Sequence, residues 1–82
     1  MVKKMYAIYD KKTAVYDKPF LSHNDGDAMR AISDAMSQDN MLSRHPEDFS
    51  LNCIGEYDDL TACIQIYPVK VVAELNELIN VN

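Results

Sequence analysis

The chain has 82 residues, of which 48% are hydrophobic and 26% are charged, and its formal net charge is −5. This balance predicts one folded domain over residues 1–82 and excludes an intrinsically disordered chain. A domain of this size buries only about 60–65% of the surface that its unfolded chain exposes, so we expect a thin core that dimerisation would supplement. No apolar run reaches the roughly 18–20 residues of a membrane span, and the N-terminus lacks the apolar core of a signal peptide.

Two strand-like segments open the chain. Residues 3–9 (KKMYAIY) are rich in aromatic and β-branched types and end at a polar turn over residues 10–12, which predicts a first strand. Residues 13–16 (TAVY) are its expected hairpin partner. Pro19 ends this second strand because proline has no backbone donor, and Phe20 and Leu21 then lead toward a helix.

The helix is predicted from its start signal and its periodicity. Asn24 and Asp27 have the spacing of an N-cap with an acidic N3 residue, and the acidic first turn suits the helix dipole. Apolar residues at helical spacing form one stripe, which we assign to the core: Ala28, Met29, Ile32, Ala35 and Met36. Residues 37–44 then predict a connecting loop anchored by Met41 and Leu42.

A second hairpin follows the segment RHPEDFSLNCIGEYDD, residues 44–59. Pro46 biases its neighbour away from helical geometry, so the chain turns here and enters a strand at Phe49. Strict alternation predicts that this strand is half-buried, with one apolar and one polar face. The apolar face comprises Phe49, Leu51, Cys53 and Tyr57, and the polar face comprises Ser50, Asn52 and Glu56.

The partner of this strand begins at residue 60 or 62 and ends at Tyr67, where Pro68 closes it. A four-residue loop over residues 59–62 places Ile64 and Ile66 on the face of the apolar set. The same parity puts Cys53 and Cys63 on opposite faces, which predicts two free thiols. Residues 69–72 are candidates for an edge extension and residues 74–80 for a short terminal helix. The predicted fold is therefore α+β, a small antiparallel sheet in the order β-β-α-β-β with one helix packed on one face.

The sequence lacks the common catalytic and metal-binding patterns. It has two glycines, Gly26 and Gly55, in no phosphate-binding arrangement, and its two cysteines have no zinc or redox spacing. A cluster of His45, Glu47 and Asp48 has the residue types of an acid-base or metal site, but we expect the tight turn to direct these side chains apart. We therefore predict no catalytic residue, no metal and no cofactor.

Lysines and tyrosines concentrate in the first hairpin, a combination of cations and aromatic rings that is typical of single-strand binding proteins. The candidate DNA-binding residues are Lys3, Lys4, Tyr9, Lys11, Lys12, Tyr16 and Lys18. The net charge of −5 opposes DNA binding unless the basic face is segregated or is doubled in a dimer.

Several motifs carry a family resemblance: YAIYD at residues 6–10, KPF at 18–20, GDAMRA at 26–31, HPEDF at 45–49 and GEYDD at 55–59. Together they resemble the small non-structural protein of gokushoviruses (Microviridae), tailless icosahedral phages with circular single-stranded DNA genomes. The resemblance covers about residues 5–60. It departs at Ala62, where relatives often carry glycine, and it fades after Pro68.

The resemblance implies a non-enzymatic protein of the host bacterial cytoplasm that is absent from the virion and acts when replication turns to making and packaging single-stranded genomes. Its expected partners are phage replication or packaging proteins, and exposed acidic loops would provide the specificity surface. The candidate partner-binding residues are His45, Glu47, Asp48, Glu56, Asp58 and Asp59. Direct binding of single-stranded DNA by the first hairpin stays open as the alternative. A homodimer is expected because the first strand is apolar on both faces.

Overall fold

A computed structural model describes residues 1–79 and confirms the α+β class. Its strands are β1 (Val2–Asp10), β2 (Val15–Tyr16), β3 (Phe20–Ser22), β4 (Phe49–Asp58) and β5 (Cys63–Glu74). Its helices are α1 (Asp25–Ala35) and the short α2 (Met41–Arg44), with single 3-10 turns at Pro46–Asp48 and Leu75–Glu77. No helix in residues 1–79 is long and apolar enough to cross a membrane.

Strand β1 is first in sequence but lies inside the sheet. The strand order is β2-β1-β4-β5, and β3 pairs with the same edge of β1 as β2 does. All pairings are antiparallel, and β1 pairs with β4 along its whole length, from Val2 opposite Asp58 to Asp10 opposite Phe49. Phe20 and Leu21 of β3 were expected to form the connection to the helix and not a strand. β3 is a strand because Phe20 pairs with Tyr6, and the two rings stack with centroids 5.7 Å apart.

The helix begins and packs as its sequence predicts. The Asn24 side chain accepts a hydrogen bond from the Asp27 amide at 2.8 Å, which caps the first turn. Ala28 and Ile32 are buried, and the stripe packs against one face of the sheet. The core on this face comprises Tyr6, Ile8, Ala28, Ile32, Phe49, Leu51, Cys53, Ala73, Leu75 and Leu78. We call this side of the sheet the helix face.

Residues 37–44 were predicted to form a loop, but their second half, Met41–Arg44, forms the short helix α2. Asn40 and Ser43 form a reciprocal capping box, each side chain bonding the other residue's backbone amide at 3.0 Å, and this starts α2. Leu42 packs against the core, as expected of an anchor, whereas the side chain of Met41 is 55% exposed.

A bulge in β4 changes the predicted faces of the second hairpin. Between Cys53 and Gly55, β4 has one residue more than the segment of β1 with which it pairs. The side chains after this bulge therefore lie on the face opposite to the one that strict alternation predicts. As a result Tyr57 lies on the face opposite Cys53, and so do its partner Ile64 and the next apolar residue, Ile66. The prediction that these two isoleucines share the face of Phe49 and Leu51 is therefore wrong.

The polar face of β4 also differs from the prediction. Ser50 and Asn52 are 3% and 2% exposed, so β4 is buried on both faces in its first half. The Asn52 amide donates to the carbonyl of Ala7 at 3.4 Å and to the hydroxyl of Ser50 at 3.2 Å. These hydrogen bonds remove the cost of burying the amide.

β5 does not end at Pro68 but continues to Glu74. The proline is tolerated because β5 is the edge of the sheet, where a missing donor leaves no ladder bond unmade. The segment after β5 forms one 3-10 turn at Leu75–Glu77 rather than the predicted terminal helix, with Leu75 and Leu78 buried. The last residue of the predicted helix, Asn80, lies outside the described residues.

Both cysteines are free, as predicted, but for a different reason. Cys53 pairs with Tyr6 of β1, whereas Cys63 pairs with Asp58, which in turn pairs with Val2 of β1. Val2 and Tyr6 lie on the same face of β1, so the two cysteines share that face. Four residues of β1 separate these rows, about 13 Å at the rise of a strand, which is too far for a disulfide.

The two hairpin turns have the same sequence pattern, D-x-x-T-A, at residues 10–14 and 58–62. In each turn the alanine is left-handed, with φ of 59° at Ala14 and 61° at Ala62, and its amide donates to the aspartate carbonyl at 2.8 Å. The four-residue loop over residues 59–62 is thus confirmed. Glycine is the residue that adopts this conformation without strain, so the alanine at each turn carries some backbone strain.

The two glycines provide a matched test of the β4 bulge. A Cβ built on Gly55 would lie 2.3 Å from the Gln65 carbonyl oxygen, whereas one on Gly26 would lie 3.4 Å from Asn24 Oδ1. We expect Gly55→Ala to lower the free energy of unfolding by about 1–3 kcal/mol, as overpacking does. Gly26→Ala, inside α1, should raise it by up to about 1 kcal/mol. Urea unfolding measures both, and equal effects would contradict the close approach of β4 and β5.

Candidate interaction surfaces

The candidate DNA-binding lysines lie at two ends of the sheet rather than on one patch. Lys3 and Lys4 are at the start of β1, and Lys11 and Lys12 are in the turn that follows its end. Lys4 and Lys11, the nearest members of the two groups, are seven residues apart along the chain, about 23 Å at the usual rise of a strand. The lysines therefore do not form the contiguous stripe that tracks a nucleic-acid backbone.

Part of this basic charge is already neutralised. Lys3 Nζ is 3.8 Å from an Asp59 carboxylate oxygen, and Lys11 forms an ion pair with Glu74 and donates to the Glu47 carbonyl at 3.3 Å. Within residues 1–79, the other lysines of the set form no ion pair within 4 Å: Lys4, Lys12 and Lys18.

The two tyrosines of the DNA-binding set contact each other. Tyr9 and Tyr16 are cross-strand partners, and their ring centroids are 4.6 Å apart at an interplanar angle of 44°. Tyr16 is 45% exposed. The hairpin thus offers one outer ring surface for stacking rather than two separate rings.

The acidic candidates are also divided between the two ends of the sheet. His45, Glu47 and Asp48 lie at the turn that precedes β4, and their ligand atoms all fall within 4.8 Å of one another. The expectation that this turn directs the side chains apart is wrong. His45 and Glu47 are exposed, and exposed acidic groups of this kind are common in proteins without a bound metal ion. The Asp48 carbonyl accepts the Lys11 amide at 2.9 Å, which joins this turn to the first hairpin.

The other acidic residues lie around the β4–β5 turn and have partners of their own. The amino group of Met1 donates to Asp59 at 2.7 Å and lies 3.9 Å from Asp58. The hydrogen bond from this amino group, together with its charge and that of Lys3, lowers the pKa of Asp59. Glu56 accepts a hydrogen bond from the Tyr67 hydroxyl. These acids therefore have more hydrogen-bond and ion-pair partners within the chain than the acids of the turn at His45.

An apolar surface that was not predicted from the sequence lies on the side of the sheet away from α1. The strand register places six apolar residues there, which we call the open face: Met5, Leu21, Tyr57, Ile64, Ile66 and Val71. Ile66 is 82% exposed, Ile64 59% and Val71 54%. A shallow depression of about 240 Å³ is lined by four of the six residues together with Pro19 and Phe20.

The middle of the open face is buried within the chain, whereas its margins are exposed. Ala7, Ser50 and Asn52, at the middle of the two central strands, are only 1%, 3% and 2% exposed. The large exposed side chains stand on the flanking strands, with Leu21 on β3 and Ile66 on β5. The residues of the helical elements that pack on the sheet belong to the core of the helix face. The bulge at Gly55 was the available signal, because a glycine inside a strand pattern often marks a bulge that changes faces.

Two tyrosine hydroxyls on the helix face have altered titration. Burial and a 2.7 Å hydrogen bond to Asp25 raise the pKa of Tyr6 above its usual range. The hydrogen bond to Glu56 raises the pKa of Tyr67 to about 12. A tyrosine whose pKa is raised on folding stabilises the fold below its unfolded value of about 10, and this contribution is lost as the pH rises through the folded value.

We therefore expect a pH titration of tyrosinate absorbance to show Tyr67 ionising near pH 12 in the folded protein and near pH 10 in denaturant. Glu56→Gln removes the carboxylate partner and should move this step toward pH 10, while Tyr67→Phe should remove it. A folded protein in which Tyr67→Phe leaves the late step unchanged would show that the Tyr67–Glu56 hydrogen bond does not form.

Comparison with known proteins identifies a family. The family model described as "Phage ORF5 protein" matches residues 3–78, so the similarity continues beyond the segment expected from the motifs. No curated protein and no solved structure matches the chain. Because the match covers nearly the whole chain, including both hairpins, α1 and the open face, the chain belongs to the phage ORF5 protein family.

Proposed function

We propose that this phage protein is non-enzymatic and acts by binding another protein through its open face. The exposure of Ile64, Ile66 and Val71 on one sheet surface carries the proposal. Contiguous apolar patches are uncommon on soluble monomers, and those with a polar rim usually mark protein contacts. Ile66 is the most exposed of the six residues, so it should lose the most water on binding.

The motifs support a more specific role. HPEDF and GEYDD resemble the corresponding segments of the gokushovirus non-structural protein, and membership of a phage family agrees with that resemblance. We therefore assign the protein to the host cytoplasm, outside the virion, at the stage when replication turns to making and packaging single-stranded genomes. Its partners in this proposal are phage replication or packaging proteins.

The acidic turns have a secondary role in this proposal. His45 and Glu47 lie at the turn before β4, and Asp58 is the last residue of β4, so these acidic turns stand at the two ends of the sheet. Charges at the rim of an interface contribute to selectivity and association rate more than to affinity. The apolar residues would supply most of the binding energy, and the acids would help to select the partner.

A catalytic role has less support than a binding role. The group of His45, Glu47 and Asp48 lies on an exposed turn, where water screens charges and solvates a nucleophile. The two tyrosines with raised pKa are held neutral by their partners, which is the opposite of what a base or a nucleophile needs.

The test replaces one exposed residue of the open face in the phage genome. Ile66→Ser should weaken partner binding about tenfold or more, because a buried isoleucine side chain contributes roughly 1.5–3 kcal/mol. The expected result is a lower phage yield and less single-stranded genome relative to its double-stranded replicative form. Leu60→Ser is the matched control, because Leu60 is equally exposed, at 83%, but lies at the tip of the β4–β5 turn. Normal growth of the Ile66 variant would refute the proposed function.

The alternative, direct binding of single-stranded DNA, is supported by the exposed ring of Tyr16 and the unpaired Lys12 in the same hairpin. It is opposed by the separation of the lysines and by the net charge of −5. Binding through these side chains would weaken steeply as salt increases, since each neutralised phosphate releases a counterion.

We expect the isolated chain to show little affinity for single-stranded DNA in a salt titration, even at low salt. If it binds tightly at low salt, Lys12→Gln should reduce both the affinity and the salt dependence, whereas Lys70→Gln, an exposed lysine outside the hairpin, should not. That pattern would favour the DNA-binding alternative over the open face.

A further inference from the structure

We infer that the open face is covered by the open face of a second copy of this chain, in a symmetric dimer of two sheets packed face to face. The inference rests on the proposed function, because it concerns the same surface: a second copy covers the open face of the free protein, and a phage replication or packaging protein would bind by displacing that copy. Its support comes from three features: the thinness of the molecule, the charge of the surface, and the way in which the neighbouring sheet edge is protected.

The molecule is thin, and its hydrophobic core lies on one side of the sheet. It measures 39 × 28 × 17 Å, and the helices cover one broad side of the sheet. Two sheets packed face to face lie about 10 Å apart, and this would give the chain the second apolar layer that its thin core lacks.

The surface is also electrically neutral, although the chain is acidic. The open face carries charged groups at its two ends, and each is neutralised within the chain. Lys3 is paired with Asp59 near one end, and Glu74 is paired with Lys11 at the other. Two copies with a net charge of −5 each can therefore approach here without facing like charges. A strongly charged partner, such as nucleic acid, gains nothing from this neutrality.

The edge of the sheet is protected against pairing, whereas the face is not. β5 forms the edge and carries Pro68, which has no backbone donor, and the exposed Lys70. Its pairing with β4 is also interrupted by two bulges, which twist an edge away from regular pairing. These features disfavour a dimer joined strand to strand through β5. The open face has no comparable protection, since Ile64 and Ile66 stand exposed on it.

The isolated full chain tests the inference by light scattering over a concentration series into the tens of micromolar. We expect a mass of twice 9.3 kDa and a melting temperature that rises with concentration. Ile66→Lys and, independently, Leu21→Lys should give folded monomers, because each places a charge in the apolar interface. Leu60→Lys should stay dimeric. Circular dichroism verifies that each variant is folded.

The contradicting outcomes are distinct from those of the proposed function. A wild-type monomer throughout the series, a larger assembly, or a dimer that survives both Ile66→Lys and Leu21→Lys overturns the inference. If the wild type is monomeric but Ile66→Ser still lowers phage yield, the open face binds another protein: the inference fails and the proposed function stands. If Ile66→Lys separates the dimer but phage carrying Ile66→Ser grows like the parent, the inference stands and the proposed function fails.

Discussion

The buried side chain of Tyr6 joins the three parts of this fold. Its ring stacks on Phe20, which brings β3 to the edge of β1, and its backbone pairs with Cys53 at the point where β4 bulges. Its hydroxyl donates to Asp25 at 2.7 Å, in the first turn of α1, so one residue connects the middle of the sheet to the start of the helix. Tyr6 is completely buried, and a buried phenol needs such a partner.

This arrangement places the whole helical layer on one side of the sheet. α1 is held over the helix face by Tyr6, and Leu75 and Leu78 close the same core from the C-terminal segment. Eighty-two residues with one helix of 11 residues have little material left for a second layer. The exposed isoleucines of β5 are therefore a consequence of how the core is built, and binding through them uses a surface that the fold leaves uncovered.

Local signals in the sequence predicted the local structure, whereas the faces of the sheet depended on a bulge for which Gly55 was a weak signal and on a tertiary contact that has no local signal. Asn24 and the periodicity after it were sufficient for α1, and the turn over residues 59–62 was located correctly. The faces were predicted wrongly because one extra residue at the β4 bulge changes the side of every later side chain, and no composition rule requires a bulge at Gly55. β3 was missed because its pairing depends on a tertiary contact with Tyr6. The open face was missed with them, since it exists only in the correct register.

The central position of β1 has a consequence for how the chain folds during its synthesis. β1 is translated before its longest partner, β4, which follows some forty residues later, so the sheet cannot be completed until β4 and β5 have been synthesised. Pairings between distant segments are slow because the intervening loop must be ordered first. The β4–β5 hairpin is local and has its own turn, so it can form quickly once translated. We expect it to act as the template on which the waiting β1 docks, with Tyr6 and Ile8 exposed to solvent until then.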